Sequence, residues 1–274
     1  MIKINGREIN FESFPNGETR LITDNLVLPI GLIREMHFKY ENDADLIKLM
    51  FAKNYLGKSD INLTLYYAPY SRMDRSENGS PFTLKYVSNF INGLGFNKVT
   101  IVEPHSDVTL ALLDNSEPYY INFDLVEEVK EMVGFDEDKD FLMFPDAGAS
   151  KRYSKMKAKN VVIGNKVRDF VSGEIKGLDL MGDTSKAQGR TAIIVDDLSS
   201  YGGTFVHSAN RLREEGFTKV ILLVAHAENS IFKGKLFEHV DKVFTTDSLL
   251  TEHTNWENQK FKEQLHVFDL KEWL

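Results

Sequence analysis

The chain has 274 residues, a formal net charge of −8 and no cysteine. Its length predicts one large or two medium domains. The absence of cysteine excludes disulfides and thiolate metal sites, and the acidic balance argues against a nucleic-acid or anionic-membrane partner. Because the sequence has neither an apolar signal core at its N-terminus nor an apolar run of membrane-spanning length, we expect a cytoplasmic protein with no membrane partner.

Strand-like and helix-like segments alternate along the whole chain. In the first half the pattern predicts strands at 26–30, 61–67 and 98–102, and helices at 41–56, 81–94, 108–113 and 125–133. In the second half it predicts strands at 140–144, 160–164, 191–195, 219–225 and 242–245, and helices at 150–157 and 206–215. This alternation is typical of parallel sheets covered by helices on both faces. With the acidic stretch 135–140 as the boundary, we predict an α/β protein with an N-terminal half at 1–138 and a C-terminal half at 139–274.

The end of the predicted strand 191–195 carries the most informative motif. Asp196 and Asp197 follow the strand, and a short loop closes with Gly202, Gly203 and Thr204 before a helical pattern begins. Glycines let the backbone approach an anion, and the free N–H groups of a helix N-terminus point at it. Carboxylates at this position suit ribose hydroxyls or a phosphate-bound Mg²⁺. The motif therefore predicts a sugar-phosphate site; the alternative is an ordinary strand–loop–helix corner with a chance acidic pair.

Three other polar loops follow predicted strands, at the sheet edge where parallel α/β proteins bind ligands. Arg72 and Arg75 suit bidentate phosphate contacts, or they belong to a solvated charged loop. His105 has carboxylates on either side, at 103 and 107, and suits a cation or a phosphate. Asp146 suits a metal ion or the N-cap of a helix.

Lys166 and Arg168 lie just beyond the predicted strand 160–164, at the start of the long polar segment 169–189. A loop of that length with two basic residues at its base predicts an active-site lid, part of which (178–181) forms a short strand. The alternative for the body of the loop is a plain surface excursion.

Taken in chain order, these motifs resemble the ribose-phosphate pyrophosphokinase family, the phosphoribosyl pyrophosphate synthetases, over most of the chain. The resemblance implies two phosphoribosyltransferase-like halves, with ATP loops in the first and the ribose-phosphate site in the second. It implies an enzyme that uses Mg²⁺ and transfers the β,γ-diphosphate of ATP to the anomeric hydroxyl of ribose 5-phosphate. It also implies a homodimer or larger homo-oligomer, because the loop at 14–18 would serve a neighbouring subunit's ATP site. The implied roles are catalysis by Lys166 and Arg168, ATP binding by Phe14, Asn16, Glu18, Arg72, Asp74, Arg75 and His105, acceptor binding by Asp196, Asp197, Ser200, Tyr201, Gly202, Gly203 and Thr204, and Mg²⁺ binding by His105 and Asp146.

Two departures from the family pattern lie in the acceptor loop. Ser200 stands where the family usually has an acidic residue that holds ribose hydroxyls, and Tyr201 replaces a smaller threonine. An aromatic side chain there favours an acceptor with more than a phosphate on its 5-position, such as ADP-ribose, whose adenine can stack. Three alternatives to ribose 5-phosphate chemistry thus stay open: an ADP-ribose acceptor, a catalytically inactive regulatory protein, and a phosphoribosyltransferase. The ATP loops and Lys166 argue against the last of these.

Overall fold

The computed structural model describes residues 1–23, 34–57, 60–77, 79–168, 175–250 and 260–274, with the side chains of 166–168 and 175–176 outside that description. The predicted strand at 26–30 lies outside the described residues. The chain divides into two compact units, Met1–Tyr120 and Ile121–Leu274.

The first unit contains a mainly parallel sheet and a small separate hairpin. Its strands are β1 (Ile2–Ile4), β2 (Arg7–Glu8), β3 (Asn10–Ser13), β4 (Thr19–Ile22), β5 (Arg34–Phe38), β6 (Ile61–Leu65), β7 (Lys98–Val102) and β8 (Ser116–Tyr119). Its helices are α1 (Ala44–Tyr55), α2 (Thr83–Gly93) and α3 (Asp107–Leu112). The sheet order is β2-β1-β5-β6-β7-β8, and β5 to β8 are mutually parallel, whereas β1 pairs antiparallel with β2 and β5.

The central strands of this sheet form where apolar residues are nearly continuous. Met36, Phe38, Leu63 and Ile101 are completely buried in its core, as expected for strands covered on both faces. The sequence analysis missed β1 to β5 and β8, because these short segments carry charged, polar or proline residues that hide any apolar period.

The second unit contains a larger mainly parallel sheet. Its strands are β9 (Phe141–Phe144), β10 (Val161–Arg168), β11 (Ile175–Met181), β12 (Thr191–Ser199), β13 (Lys219–Ala227), β14 (Lys242–Thr246) and β15 (Leu265–Phe268). Its α-helices are α4 (Asn122–Val133), α5 (Ala147–Arg152), α6 (Gly203–Glu214) and α7 (Leu236–His239), and its 3₁₀ helices are Asn229–Lys233, Lys262–Gln264 and Leu270–Glu272. The sheet order is β11-β10-β9-β12-β13-β14-β15, and β11 is the antiparallel member.

Helix α4 belongs to the second unit, whereas the sequence analysis assigned it to the first half. Long-range hydrogen bonds account for this: Asn122 Nδ2 donates to the backbone oxygen of Asp196 at 2.8 Å, and Lys219 Nζ donates to the backbone oxygen of Val133 at 3.1 Å. The helix therefore packs on the β12–β13 side of its own unit, before the acidic stretch that suggested a boundary.

Several predicted elements need correction. The strand predicted at 160–164 continues to Arg168, because its antiparallel pairing with β11 includes Lys166 and Arg168, which were predicted to lie beyond it. The strand predicted at 191–195 continues to Ser199, because its parallel pairing with β13 extends through Asp196 and Leu198. The helix predicted at 150–157 instead begins at Ala147 and ends at Arg152, since Asp146 caps it. The short strand predicted at 178–181 begins earlier, at Ile175, and pairs antiparallel with β10.

Within the described residues, no helix combines the length and the apolar character needed to cross a membrane.

Candidate functional site

The C-terminal ends of two adjacent parallel strands in the first unit, β6 and β7, carry polar loops. Tyr70 and Glu103, one in each loop, have left-handed backbone conformations, with φ of 63° and 42°. Non-glycine residues rarely adopt this conformation, and it persists only where the surroundings enforce it. For Tyr70 one such constraint is visible, since its hydroxyl donates to Asp43 Oδ1 at 2.6 Å. These strained turns fix the direction in which the two loops leave the sheet.

Asp74 forms the inner layer of this loop cluster. Its side chain is only 3% exposed, and it accepts a hydrogen bond from Arg75 Nε at 2.8 Å. Burial opposes ionisation of Asp74, but the hydrogen bond of Arg75 and the Ser106 hydroxyl, together with the charges of Arg75 and His105, outweigh burial and lower its pKa. Arg72 and Arg75 extend from the same loop into solvent, so the loop joins predicted residues Arg72, Asp74, Arg75 and His105 in one basic cluster around a satisfied carboxylate.

The tip of the β3–β4 hairpin holds the other predicted residues of the first unit. Phe14, Asn16 and Glu18 are all exposed there, with Phe14 at 49%. The turn is closed by hydrogen bonds from Phe14 N to Glu18 O at 2.8 Å and from Glu18 N to Asn16 Oδ1 at 3.2 Å. Gly17, with φ of 89°, occupies the position that needs a left-handed residue. An exposed aromatic ring on a rigid tip is suited to contact a flat ligand.

In the second unit an acidic pair lies within β12. Arg152 Nη1 lies 2.9 Å from Asp197 Oδ1 and 3.8 Å from Asp196 Oδ1, and Asn122 holds the strand through the Asp196 backbone oxygen. Burial raises the pKa of Asp196 well above its ordinary value, and the adjacent Asp197 carboxylate and then Asp146 raise it further. This edge therefore places carboxylates close together where they are poorly solvated, an arrangement that a cation or hydroxyl donors from a ligand would stabilise.

Asp146 connects the end of β9 to helix α5. Its Oδ1 accepts a hydrogen bond from Ala149 N at 3.0 Å, so the capping alternative of the sequence analysis is confirmed. The charge of Asp146 also contributes to the raised pKa of Asp196. Within the described part of the chain, no three His, Asp or Glu side chains converge on one metal position; His105 lies in the first unit and Asp146 in the second.

The glycine loop, residues 200–204, joins β12 to α6. Gly202 is left-handed, with φ of 80°, and a Cβ there would lie 2.9 Å from Leu236 Cβ, so both conformation and packing require glycine. Helix α6 begins at Gly203, and the first N–H groups of a helix have no acceptor within it. Tyr201 is 59% exposed beside them. The local prediction of strand, acidic pair, glycine turn and helix N-terminus is confirmed as structure.

A second loop, residues 228–236, packs against the glycine loop and was missed by the sequence analysis. Ser230 Oγ lies 3.0 Å from Ser200 Oγ and donates to Glu228 Oε2 at 3.2 Å. Arg152 was missed as well. The signal for Glu228 was available, since it directly follows β13 at the edge where strand ends carry function; Arg152 offered no comparable signal, because its partners are distant in sequence.

Lys166 and Arg168 lie in the last residues of β10, where Lys166 is paired with Leu178 and Arg168 with Ile175 of β11. Their side chains, and residues 169–174 of the predicted lid, lie outside the described part of the structure. The roles of these residues stay predictions.

No protein-family model matches the chain. It is 24% identical over 254 residues to the ribose-phosphate pyrophosphokinase of Sulfolobus acidocaldarius, covering 88% of this chain and 84% of that protein. It is 25% identical over 259 residues to the ribose-phosphate pyrophosphokinase of Sulfurisphaera tokodaii, again covering 88% and 84%. Among solved structures it resembles the phosphoribosylpyrophosphate synthetase of Mycobacterium smegmatis, with a TM-score of 0.75 at 21% identity, over 97% of this chain and 87% of that one. That likeness confirms the predicted α/β fold with mainly parallel sheets flanked by helices.

Proposed function

We propose that the chain is a divergent member of the ribose-phosphate pyrophosphokinase family, which it resembles over most of its length. In this role it moves the β,γ-diphosphate of ATP to the anomeric hydroxyl of a ribose 5-phosphate-type acceptor. The observation that carries this proposal is the edge of the second unit. There a buried acidic pair, a left-handed Gly202 and the N-terminus of α6 follow one another within nine residues, 196–204. Ribose hydroxyls are the chemical partners of the acids, and a phosphate is the partner of the helix N-terminus.

The acceptor sugar would be held at this edge. Asp196 and Asp197 lie side by side at 16% and 7% side-chain exposure, with Arg152 beside them, so hydroxyl donors from a ribose would relieve their repulsion. The N–H groups of Gly203 and Thr204 would receive the phosphate, and Gly202 would keep the backbone open for its approach.

ATP would be held by the basic loops of the first unit. Arg72 and Arg75 are exposed and suited to the triphosphate, while Asp74 holds the Arg75 guanidinium in place. Phe14, with Asn16 and Glu18 beside it, would contact the nucleotide of a neighbouring copy. This part of the proposal requires a homodimer or a larger homo-oligomer.

The donor groups present fit Mg²⁺ that arrives with phosphate. Asp146, Asp196 and Asp197 supply hard oxygen ligands, and Mg²⁺ usually binds through one or two carboxylates plus substrate phosphates rather than a cage of protein ligands. Burial and the neighbouring carboxylates disfavour the charged form of Asp196 and raise its pKa, so a bound cation would favour ionisation of this carboxylate. When bound, the ion would offset the charge that develops on the diphosphate oxygens. His105 in the first unit would contact phosphate or the ion there.

The chemical step would be an in-line displacement at the β-phosphorus. The anomeric oxygen forms the new bond to the β-phosphorus and gives its proton to solvent water, while the bond to the α,β-bridging oxygen breaks and AMP leaves with the electron pair. Lys166 and Arg168 would neutralise charge on the transferred group and on AMP. One such contact is worth roughly 3 to 4 kcal/mol in the transition state.

A second candidate acceptor, ADP-ribose, is favoured by one observation. The Tyr201 ring is 59% exposed at the mouth of the glycine loop rather than buried behind it. An exposed aromatic ring there is free to stack on a base attached beyond the 5-phosphate. Ribose 5-phosphate offers no such group.

The test incubates the protein with ATP and Mg²⁺ in two parallel reactions, one with ribose 5-phosphate and one with ADP-ribose. Release of AMP is measured by chromatography. AMP with either acceptor supports diphosphotransfer and identifies that acceptor. ATP binding without AMP in both reactions would contradict the proposal and support the regulatory alternative. Release of diphosphate from a 1-pyrophosphorylated ribose and a base, without use of ATP, would indicate a phosphoribosyltransferase instead.

A further inference from the structure

A series of two hydrogen bonds through three side chains, which we call the hydrogen-bond chain, connects the glycine loop to the second loop. Ser200 Oγ lies 3.0 Å from Ser230 Oγ, and Ser230 Oγ lies 3.2 Å from Glu228 Oε2. All three residues are partly exposed, so the hydrogen-bond chain is reachable by a small ligand at this edge.

The first residues of the second loop, 228–231, are anchored on both sides. The backbone N–H of Glu228 donates to Ser199 O at 2.9 Å, which continues the β12–β13 pairing by one step. Ile231, one residue beyond Ser230, is completely buried in the core. Glu228 and Ser230 are thus held between a strand end and a buried apolar anchor.

The two loops are also in close backbone contact. A Cβ at Gly234 would lie 2.1 Å from the Tyr201 carbonyl oxygen, and a Cβ at Gly202 would lie 2.9 Å from Leu236 Cβ. Neither glycine can carry a side chain without displacing the other loop. The spacing between Ser200 and Ser230 is therefore set by packing and does not depend on a ligand.

The direction of the hydrogen bonds follows from the chemistry of the carboxylate. An ionised carboxylate only accepts, so Ser230 must donate its single hydroxyl proton to Glu228. Ser230 then faces Ser200 with a lone pair, and Ser200 donates to it. Because the hydroxyl proton of Ser200 is used in this hydrogen bond, Ser200 Oγ can only accept hydrogen bonds from a ligand. Each hydrogen bond in such a chain strengthens the next.

We propose that Glu228, acting through Ser230, is a specificity-determining residue of the acceptor site that makes Ser200 a hydrogen-bond acceptor for the ribose hydroxyls of the substrate. Glu228 is a positioning residue, whereas Ser200 contacts the sugar. The negative charge that orients the site lies on the second loop instead of on the glycine loop itself. The inference rests on the proposed function, since it assigns the acceptor of the diphosphotransferase as the ligand.

The first experiment breaks the hydrogen-bond chain at two points. Ser230→Ala removes the hydroxyl that connects Glu228 to Ser200, and we expect the KM for the acceptor to rise about tenfold. Glu228→Gln replaces the carboxylate with an amide that can donate as well as accept, so the direction of the hydrogen bonds is no longer fixed, and we expect the KM for the acceptor to rise about fivefold. The KM for ATP is expected to stay unchanged in both variants. Glu214→Gln is the matched control, because Glu214 is 68% exposed and its ion pair with Arg211 lies on the surface of α6. An unchanged acceptor KM, or an equal rise in both KM values, would overturn the proposal.

The second experiment asks for rescue. Ser200→Asp places a carboxylate directly in the glycine loop, so it should restore the acceptor KM of Glu228→Gln to within about twofold of the wild-type value. In the wild-type background the same change brings a second carboxylate near Glu228 and should weaken acceptor binding. If Glu228 had only a structural role, the double variant Ser200→Asp/Glu228→Gln would have the same raised acceptor KM as Glu228→Gln alone. That result would contradict the proposal.

Calorimetric titration with ribose 5-phosphate and with ADP-ribose separates this inference from the proposed function. If the wild type binds an acceptor but releases no AMP, diphosphotransfer is wrong, and the affinities of the same variants still test the hydrogen-bond chain. If the wild type binds neither acceptor, the inference is wrong as well.

Discussion

Two carboxylates at the ligand-binding edges of the two sheets have pKa values shifted in opposite directions. Asp74 in the first unit is buried, yet Arg75 and His105 hold its pKa below the ordinary value. Asp196 in the second unit is buried beside Asp197 and Asp146, and its pKa is raised. Burial acts in the same direction on both, so the difference comes from the neighbours.

This contrast indicates what each edge lacks. At the first edge Arg75 offsets the Asp74 carboxylate, and the exposed side chains of Arg72 and Arg75 suit a polyphosphate. At the second edge neighbouring carboxylates raise the pKa of Asp196, which suits hydroxyl donors and a cation. A donor site for ATP and an acceptor site for a sugar need these two characters.

The largest loss of stability is expected from Arg152→Ala, because this substitution removes a cationic partner of the acidic pair at the second edge. Removing the arginine leaves the buried Asp197 without its partner at 2.9 Å, and loss of one member of a buried pair costs about 3 to 5 kcal/mol. Urea denaturation followed by circular dichroism measures the free energy of unfolding. Arg211→Ala, which removes surface pairs on α6, is the control and should cost less than about 1 kcal/mol. Equal losses in the two variants would mean that the acidic pair does not depend on Arg152.

A smaller loss is expected from Gly202→Ala, which tests how tightly the second edge is packed. The left-handed backbone costs an alanine about 1 kcal/mol, and the approach of Leu236 Cβ to 2.9 Å adds about 1 to 2 kcal/mol. Gly17→Ala in the first unit is the matched control, since Gly17 is also left-handed but has nothing within 4 Å of a Cβ. Thermal or urea denaturation should show the larger loss for Gly202. The reverse order would contradict the packing argument.

The pH dependence of stability should have opposite signs at the two carboxylates. Because the pKa of Asp196 is raised in the folded state, its contribution to stability is complete below its ordinary pKa of 3.8 and is lost as pH rises through the folded value. Because the pKa of Asp74 is lowered, its contribution is present above 3.8 and is lost as pH falls through the folded value.

Asp196→Asn and Asp74→Asn separate these contributions. Relative to wild type, Asp196→Asn should lose less stability as the pH rises from about 4 to about 7, and Asp74→Asn should lose less as the pH falls below about 4. Unfolding free energies across this range are the measurement. The same slope change in both variants would remove the contrast between the two edges.

The smallest effect on stability is expected from Arg75→Ala, because its side chain is 69% exposed. We expect only a small loss in the free energy of unfolding, because water can replace the exposed guanidinium beside Asp74. We also expect a rise of about tenfold in the KM for ATP, since a charge-assisted contact to phosphate is lost. Lys85→Ala on α2, also exposed, is the control. A rise in the KM for the acceptor instead of the KM for ATP would show that the basic loop binds the acceptor and that its proposed role in ATP binding is wrong.

Local patterns predicted several elements closely. β7 has the predicted bounds, and β6, β9, β13 and β14 differ by a few residues, because each is an apolar run flanked by polar residues. The glycine loop was predicted from the order of Asp196, Gly202 and Gly203 alone, since a tight turn before a helix depends on a few consecutive residues. Edge strands such as β2 and β8 could not be predicted, because their pairing partners are what make them strands.

The sequence by itself determined the alternation of strands and helices, the acidic pair before the glycine turn, and the basic loops, since all of these depend on residues close together in the chain. Only the tertiary structure decided that α4 belongs to the second unit, that Arg152 partners Asp197, and that Glu228 reaches Ser200 through Ser230. These contacts join residues about 30 or more positions apart. Residues this far apart in the sequence come into contact only when the strands of the parallel sheet pair side by side. A local pattern of apolar and polar residues carries no information about such contacts.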